Sequence, residues 1–266
     1  MTRRRLDGEL VRRGLASTRE EARQAILAGK VVVDAQPATK PSRLVAPSED
    51  VAMAAPSRRF VSRGGDKLAA ALDRLGVDPR GRRCLDVGAS TGGFTDAMLS
   101  RGAAHVVALD VGYGQLAWSL RTDPRVTVME RANVRSVGRE DLPYAADLVT
   151  ADLSFISLAS VVPTLVDVSA PTAELLLLVK PQFEAGRQDV RRGGVVADPE
   201  AWRRSVVAVA DSCEGSGAGP QAVVASPLRG PAGNVEFFVL ARRGATPCRL
   251  DIDAAIAGAP PASRTG

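Results

Sequence analysis

The sequence predicts an α/β fold built on a mostly parallel sheet, preceded by a small unit of mixed α and β structure. Three observations indicate this. Beyond about residue 60, short apolar stretches alternate with stretches of helical periodicity, which is the pattern of a sheet with helices on both faces. A glycine-rich loop directly follows one of the apolar stretches and leads into a helix. The first 55 residues have a separate pattern of two helices and short strands.

Length and composition limit the class of protein. The 266 residues are enough for one large and one small domain. The three cysteines are widely spaced, which argues against a disulfide framework, and the single histidine, His105, argues against a zinc cluster or a Ser-His-Asp hydrolase. We see neither a membrane-spanning apolar run nor a signal peptide, so we expect a metal-free cytoplasmic protein.

Residues 1–55 are predicted to form one compact unit. Leu6, Leu10 and Val11 lie on one face of a first helix. The segment Ser17–Glu20 is interpreted as a capping box that opens a second helix. A strand is expected at Lys30–Asp34, followed by short strands separated by turns.

Basic side chains crowd this unit, although the net charge of the whole chain is only +5. Such a cluster is typical of a phosphate-binding surface, and a merely solvated basic face is the alternative. The order of helix, capped helix and G-K-V-x-V-D resembles the S4-like RNA-binding domain of a small-subunit ribosomal protein and many pseudouridine synthases. That resemblance implies that the helices lie on RNA. The candidate RNA-binding residues are Arg3, Arg4, Arg5, Arg19, Arg23 and Lys30.

The rest of the chain is divided into a linker at residues 56–61, a catalytic domain at residues 62–245 and a tail at residues 246–266. The tail is rich in Ala, Pro and Gly, and we expect it to be disordered. The strand candidates of the catalytic domain are Cys84–Val87, Val106–Asp110, Val126–Met129, Asp147–Ala151, Leu175–Val179, Ala222–Ala225 and Phe237–Leu240.

The loop Cys84–Thr95 carries the strongest local signal, because an apolar strand enters a glycine-rich turn before a helix. A dinucleotide fingerprint would need a glycine where Ser90 stands, and a Walker loop would need Gly-Lys-Ser/Thr. The form D-x-G-x-x-x-G-G-F instead resembles the S-adenosylmethionine loop of class I methyltransferases. The cofactor residues that this resemblance implies are Asp86, Gly88, Ala89, Ser90, Thr91, Gly92, Gly93 and Phe94.

Two polar residues after the next strands extend the predicted cofactor site. Asp110 ends the second strand, where an acid can accept hydrogen bonds from both hydroxyls of a ribose. Asn133 follows the third strand and could contact adenine. The alternatives are that Asp110 caps a turn and that Asn133 is an ordinary turn residue.

Four residues form a candidate catalytic set. Asp152 and Lys180 end the fourth and fifth strands, Glu236 begins the last strand, and Lys67 precedes the first. Because ligands bind at the carboxyl ends of parallel strands, Asp152 and Lys180 should face the cofactor, and Asp152 is also a candidate cofactor residue. Two surface ion pairs are the alternative interpretation.

This Lys-Asp-Lys-Glu set resembles the tetrad of the FtsJ/RrmJ ribose 2′-O-methyltransferases. Together with V-S-R-G-G-x-K-L, D-V-G-A-S-T-G-G-F, D-L-S-F-I-S, K-P-Q-F-E and G-N-V-E-F, it closely resembles the TlyA family. The resemblance implies a class I Rossmann-like domain with seven strands, the last antiparallel. It also implies S-adenosylmethionine as cofactor and 2′-O-methylation of cytidines in small- and large-subunit ribosomal RNA.

The predicted chemistry uses Lys180 as the base that removes the proton of the ribose 2′-hydroxyl. Burial and a neighbouring cation, here Lys67, favour a neutral amine. Asp152 and Glu236 would orient the two amines and the hydroxyl. The competing hypotheses are a non-catalytic RNA-binding protein, a membrane-active haemolysin, which is another name used in this family, and a pseudouridine synthase.

Overall fold

The computed structural model describes residues 3–53 and 59–261. The chain divides into two compact units, residues 1–59 and residues 60–266. Residues 56–58 of the predicted linker lie outside the described residues. Each unit has its own hydrophobic core.

The N-terminal unit packs two helices beside two small antiparallel sheets. Its elements are β1 (Arg4–Arg5), α1 (Leu6–Arg12), α2 (Arg19–Leu27), β2 (Val31–Val33), β3 (Gln36–Pro37), β4 (Leu44–Val45) and β5 (Val51–Met53). Strand β1 pairs with β4, and β2 lies between β3 and β5. Leu6, Leu10 and Ile26 bury the apolar helix faces against Val31 and Val33 of β2.

The second helix begins one residue later than the capping-box interpretation implies. Thr18 is the N-cap, and its Oγ1 accepts a hydrogen bond from the Glu21 amide at 3.1 Å. The Glu21 carboxylate in turn accepts from the Ser17 amide at 2.7 Å. The prediction that Ser17 and Glu20 form the box is therefore wrong, because Glu21 stands three residues after the true cap.

The catalytic unit is a seven-stranded sheet with helices on both faces. Its elements are α3 (Arg63–Leu75), β6 (Arg83–Val87), α4 (Gly93–Ser100), β7 (His105–Leu109), α5 (Trp118–Arg121), β8 (Val126–Met129), β9 (Ala146–Ala151), α6 (Val162–Asp167), β10 (Ser169–Val179), α7 (Pro181–Glu184), α8 (Pro199–Gly215), β11 (Ala218–Ala225), β12 (Phe237–Arg243) and α9 (Ile252–Ala257).

The strand order is β11-β12-β10-β9-β6-β7-β8, and β12 alone runs antiparallel to its neighbours. The prediction of a mostly parallel Rossmann-like sheet with an antiparallel last strand is confirmed. The sequence of β10 is almost wholly apolar because both of its faces are buried. Leu175 and Leu177 pack in one core, and Leu176 and Leu178 pack in the core on the other face of the sheet. This topology brings the end of β10 and the start of β12 to one edge of the sheet.

The predicted ends of the catalytic domain need correction. Phe60 and Val61 were assigned to the linker, but the Phe60 ring is buried in a catalytic-unit core and the Val61 amide donates to Asp96 at 2.8 Å. The expectation of a disordered tail is wrong for α9, which buries Ala255 and packs Ile252 and Ile256 against the sheet core. The spacing of these three apolar residues is helical, although the composition suggested disorder.

Candidate active site

The loop between β6 and α4 turns sharply beside the end of β9. Gly88 has a φ of 83°, and a Cβ there would lie 2.6 Å from the carbonyl oxygen of Asp152. Ser90 holds a left-handed φ of 48° without being a glycine. Side chains larger than hydrogen are therefore excluded at Gly88, and the loop approaches the end of β9 closely.

Asp110 fixes this loop through two backbone amides. Its Oδ2 accepts from the Ser90 amide at 2.7 Å, and its Oδ1 accepts from the Gly112 amide at 2.6 Å. A carboxylate has roughly four acceptor positions, so further donors such as ribose hydroxyls can still bind. The alternative of a turn-capping role describes part of what Asp110 does, since Gly112 is in its own turn.

A cavity of about 490 Å³ opens at the carboxyl ends of the parallel strands. Of the predicted cofactor residues, Gly88, Ser90, Asp110, Asn133 and Asp152 line it. Asn133 also caps a short 3₁₀ turn, since its Oδ1 accepts from the Arg135 amide at 3.1 Å. The position of the cavity agrees with the rule for ligand sites in open α/β sheets.

Two predicted cofactor residues lie behind the loop instead of in the cavity. Asp86 is fully buried, where it accepts hydrogen bonds from Thr95 at 2.7 Å and from Thr150 at 3.3 Å. Burial raises the pKa of Asp86 to about 7. Phe94 packs against Phe238, with 6.0 Å between ring centroids. Both side chains support the loop from the core, and their assignment as cofactor residues stays a prediction.

The remaining loop residues shape the turn. Ala89 borders a smaller hollow beside Asp110. Thr91 is exposed, and its carbonyl oxygen accepts from the Ala117 amide at 3.2 Å. Gly92 and Gly93 are buried where side chains of neighbouring elements pass close by.

The four residues of the candidate catalytic set form two ion pairs. Lys180 Nζ lies 2.6 Å from Asp152 Oδ1 and donates to Ser154 Oγ at 2.9 Å. Lys67 Nζ lies 2.5 Å from Glu236 Oε2. The side chains of Lys67 and Glu236 are only 9% and 1% exposed, so this second pair does not fit the alternative of a surface ion pair.

Electrostatics indicates that the two pairs act on each other. Burial raises the pKa of Glu236, and the positive charge of Lys67 opposes that rise. The positive charge of Lys180 also lowers the pKa of Glu236, and the negative charge of Asp152 raises it. Val179 of β10 pairs with Phe237 of β12, so Lys180 and Glu236 lie at the same edge of the sheet and bring their ion-pair partners Asp152 and Lys67 with them. Of the four, Asp152 also lines the cavity.

Glu184 is a residue of this site to which sequence reasoning gave no role. Its carboxylate accepts from Ser157 Oγ at 2.7 Å and from the Leu158 amide at 2.6 Å. It thereby joins the segment after Lys180 to the segment after Asp152. The pairing of K-P-Q-F-E with D-L-S-F-I-S was the available signal, but sequence alone does not show which carboxylate reaches which amide.

Phe155 is a second residue of this site that the sequence did not indicate. Its side chain is 92% exposed, its φ is 64°, and it lines the cavity. The ring lies 5.3 Å from that of Phe183, and Lys180 Nζ lies 5.9 Å from the Phe183 centroid. A bulky residue with a left-handed backbone is uncommon, and here it holds an apolar ring in solvent beside the lysine.

Two features of the described residues concern membranes and metals. None of the helices in residues 3–53 and 59–261 combines the length and the hydropathy that crossing a membrane requires. In the same ranges, no three side chains of the metal-binding types come together.

Comparison with known proteins identifies related families. The FtsJ-like methyltransferase model matches residues 60–243, and the S4 domain model matches residues 4–51. The chain is 54% identical to the 16S/23S rRNA (cytidine-2′-O)-methyltransferase TlyA of Mycobacterium tuberculosis, over 90% of each protein. It is 33% identical to Hemolysin A of Brachyspira hyodysenteriae, over 88% of this chain and 98% of the relative.

Solved structures agree with these matches. A protein from Streptococcus thermophilus that carries a hemolysin name superposes with a TM-score of 0.73 and 34% identity, over 97% of this chain and 95% of the other. An S-adenosylmethionine dependent methyltransferase from Mesorhizobium loti gives a TM-score of 0.50 at 17% identity, over 67% and 100%. The second likeness concerns the fold alone.

Proposed function

This chain belongs to the TlyA family of FtsJ-like methyltransferases, and we propose that it methylates the ribose 2′-hydroxyl of cytidines in ribosomal RNA. The methyl donor of this family and fold is S-adenosylmethionine. The cluster of Lys67, Asp152, Lys180 and Glu236 beside the cavity is the observation that carries the proposal. The name of the Mycobacterium tuberculosis relative supports cytidine as the target.

The cavity suits the cofactor in size and in donor set. Asp110 would accept hydrogen bonds from the ribose hydroxyls, and Asn133 would lie near the adenine. The close approach of Gly88 to the Asp152 carbonyl holds the loop against the end of β9, where the cavity opens. When bound, the cofactor supplies an activated methyl group on a sulfonium, so the chain itself need only position and deprotonate the acceptor.

Lys180 is the proposed base. Lys180 Nζ would take the proton of the ribose 2′-hydroxyl, and the bound cofactor would supply the methyl group that the oxygen accepts. Asp152 and Ser154 hold the amine in place through contacts of 2.6 Å and 2.9 Å. Lys67 and Glu236 form the buried wall of the cluster, and the exposed Phe155 ring offers a surface on which the nucleobase can stack.

The N-terminal unit is proposed to supply affinity for ribosomal RNA, which the chain would meet in the cytoplasm. Arg3, Arg4, Arg23 and Lys30 are exposed and have no ion-pair partner among the described residues, so their charges are available to phosphates. Arg5 is held by Asp7 at 2.7 Å, and Arg19 lies 3.9 Å from the same carboxylate. These two are therefore weaker candidates than the sequence suggests.

We predict that Asp110→Ala weakens cofactor binding about ten- to a hundredfold, because a ligand hydroxyl and two loop amides lose an acceptor together. Isothermal calorimetry with S-adenosylmethionine measures this. Asp78→Ala is the matched control, since Asp78 is exposed and stands before β6 at the opposite edge of the sheet. Wild-type affinity in the Asp110 variant would remove this residue from the site.

We predict that Glu184→Ala lowers kcat about tenfold or more, because the Ser154–Phe155 loop loses its link to the Lys180 segment. Glu184→Gln should recover much of the loss, since the amide oxygen still accepts the Leu158 hydrogen bond. Glu214→Ala, an exposed glutamate at the end of α8, serves as the control. Equal activity in the Ala variant and the wild type would show that Glu184 does not position the site.

The proposed function is tested by mapping ribose 2′-O-methyl marks on ribosomal RNA from cells with and without the gene. We expect at least one cytidine to lose its mark without the gene and to regain it when purified enzyme and S-adenosylmethionine are added. Identical maps from the two strains would contradict the proposal.

A further inference from the structure

An exposed turn that carries two arginines precedes helix α8 in the catalytic unit. Arg191 and Val195 pair across it, with the Arg191 amide donating to the Val195 carbonyl at 3.0 Å, and the Gly194 amide donates to the Arg191 carbonyl at 2.9 Å. Gly193 and Gly194 have φ values of 96° and 77°, which only glycine adopts readily. Arg191 therefore stands at the first position of a tight turn and Arg192 at its tip, and both side chains are exposed.

A buried asparagine ties this turn to the site. Asn234 is 2% exposed, its Oδ1 accepts from the Val196 amide at 2.9 Å, and its Nδ2 donates to the Gly194 carbonyl at 2.8 Å. The Trp202 indole donates to the Val196 carbonyl at 2.9 Å. Since Asn234 precedes Glu236 by two residues, the chain between them spans at most about 7 Å. Asn234 thus ties the base of the turn to the chain segment that carries Glu236.

The arginines of the turn carry uncompensated charge. The nearest acid in sequence, Asp189, is engaged by Arg204 at 3.0 Å. Neither Arg191 nor Arg192 has an ion-pair partner among the described residues. The net charge of the catalytic cluster itself is zero, because two lysines pair with two carboxylates.

A ribose 2′-hydroxyl is attached to the carbon next to the one that carries the 3′-phosphate. An acceptor hydroxyl at Lys180 therefore brings at least one phosphate close to Asp152 and Glu236. A neutral cluster with two carboxylates offers that phosphate no net attraction, so cations around the site must supply it. Arginine is well suited to this task, because its guanidinium binds phosphate oxygens in a bidentate manner.

We propose that the turn Arg191–Val195 is an RNA-contacting arm of the catalytic unit, whose two guanidinium groups bind phosphates flanking the target nucleotide. This inference rests on the proposed function for the identity of the RNA. The catalytic unit would then have a phosphate-binding surface of its own, separate from that of the N-terminal unit.

The test compares Arg191→Ala/Arg192→Ala with the wild-type full-length protein, using purified ribosomal subunits from cells that lack the gene. We expect KM for the subunits to rise about tenfold, with kcat and the affinity for S-adenosylmethionine unchanged. The slope of log Kd for the subunits against log salt should become shallower by about one to two, because two phosphate contacts are lost. Arg191→Lys/Arg192→Lys should keep most of the salt slope.

The matched control is Arg80→Ala/Arg249→Ala, which removes the same charge from two exposed arginines at the opposite edge of the sheet. The inference is overturned if the turn variant keeps wild-type KM and salt slope, or if the control pair shifts them equally. A wild-type enzyme that binds the subunits but never methylates them would contradict the proposed function. The salt slopes would still decide whether the turn binds RNA.

Discussion

Lys180→Ala is expected to lower the rate of methyl transfer by about 10²- to 10⁴-fold, the range that a general base contributes. The side chain lies between Asp152 and Ser154, so its loss removes the proposed proton acceptor while the cavity lining stays in place. Calorimetry with S-adenosylmethionine and filter binding of ribosomal subunits should give affinities close to wild type. A residue that acts only in the transition state lowers turnover without a matching loss of ground-state binding.

The Lys180→Arg variant tests whether Lys180 acts as a base or only as a positive charge. Arginine keeps the positive charge and can still face Asp152, but it does not give up its proton in proteins. We therefore expect the Arg variant to be nearly as inactive as the Ala variant. Substantial activity in the Arg variant, or loss of cofactor binding in the Ala variant, would show that Lys180 is a binding residue.

Glu236→Ala is expected to impair both stability and activity. It leaves the Lys67 ammonium, whose side chain is only 9% exposed, without its partner at 2.5 Å. Breaking a buried ion pair from one side costs about 3 to 5 kcal/mol. Denaturant unfolding of the catalytic unit should show that loss in free energy of unfolding, and methyl transfer should fall as it does for Lys180.

The double variant Lys67→Met/Glu236→Gln distinguishes the two effects. Removing both charges leaves no unpaired buried ion, so most of the stability should return. Methyl transfer should remain low, because the cluster that orients the acceptor is gone. A Glu236→Ala variant as stable as the wild type would mean that Lys67 finds another partner, and an active double variant would mean that this pair is structural.

The sequence predicted the strands of the sheet and placed the candidate catalytic residues at strand ends. Strand β8 occupies the predicted residues Val126–Met129, because polar residues flank a short apolar run on both sides. Asp152, Lys180 and Glu236 meet because each stands at a strand end on the same edge of the sheet, and strand order decides that meeting. Periodicity and turn residues determine the strands and their ends locally, whereas the strand order was implied by the family resemblance.

Features that depend on side-chain direction could not be inferred in the same way. Asp86 and Phe94 belong to the cofactor motif, yet their side chains point into the core, since strand and helix each present two faces. Glu184 lies near Ser157 and Leu158 only after two separate loops fold together. The Asn234 contacts with Val196 and Gly194 likewise join residues about 40 positions apart.

The central claim is that the methyl group goes to a ribose 2′-hydroxyl. It is tested most directly by an RNA substrate in which the mapped target cytidine is replaced by 2′-deoxycytidine, with radiolabelled S-adenosylmethionine as donor. The base and the flanking phosphates are unchanged, so binding should persist while methyl transfer disappears. Transfer that continues on the deoxy substrate would identify a base atom as the acceptor and would contradict the role assigned to the Lys67, Asp152, Lys180 and Glu236 cluster.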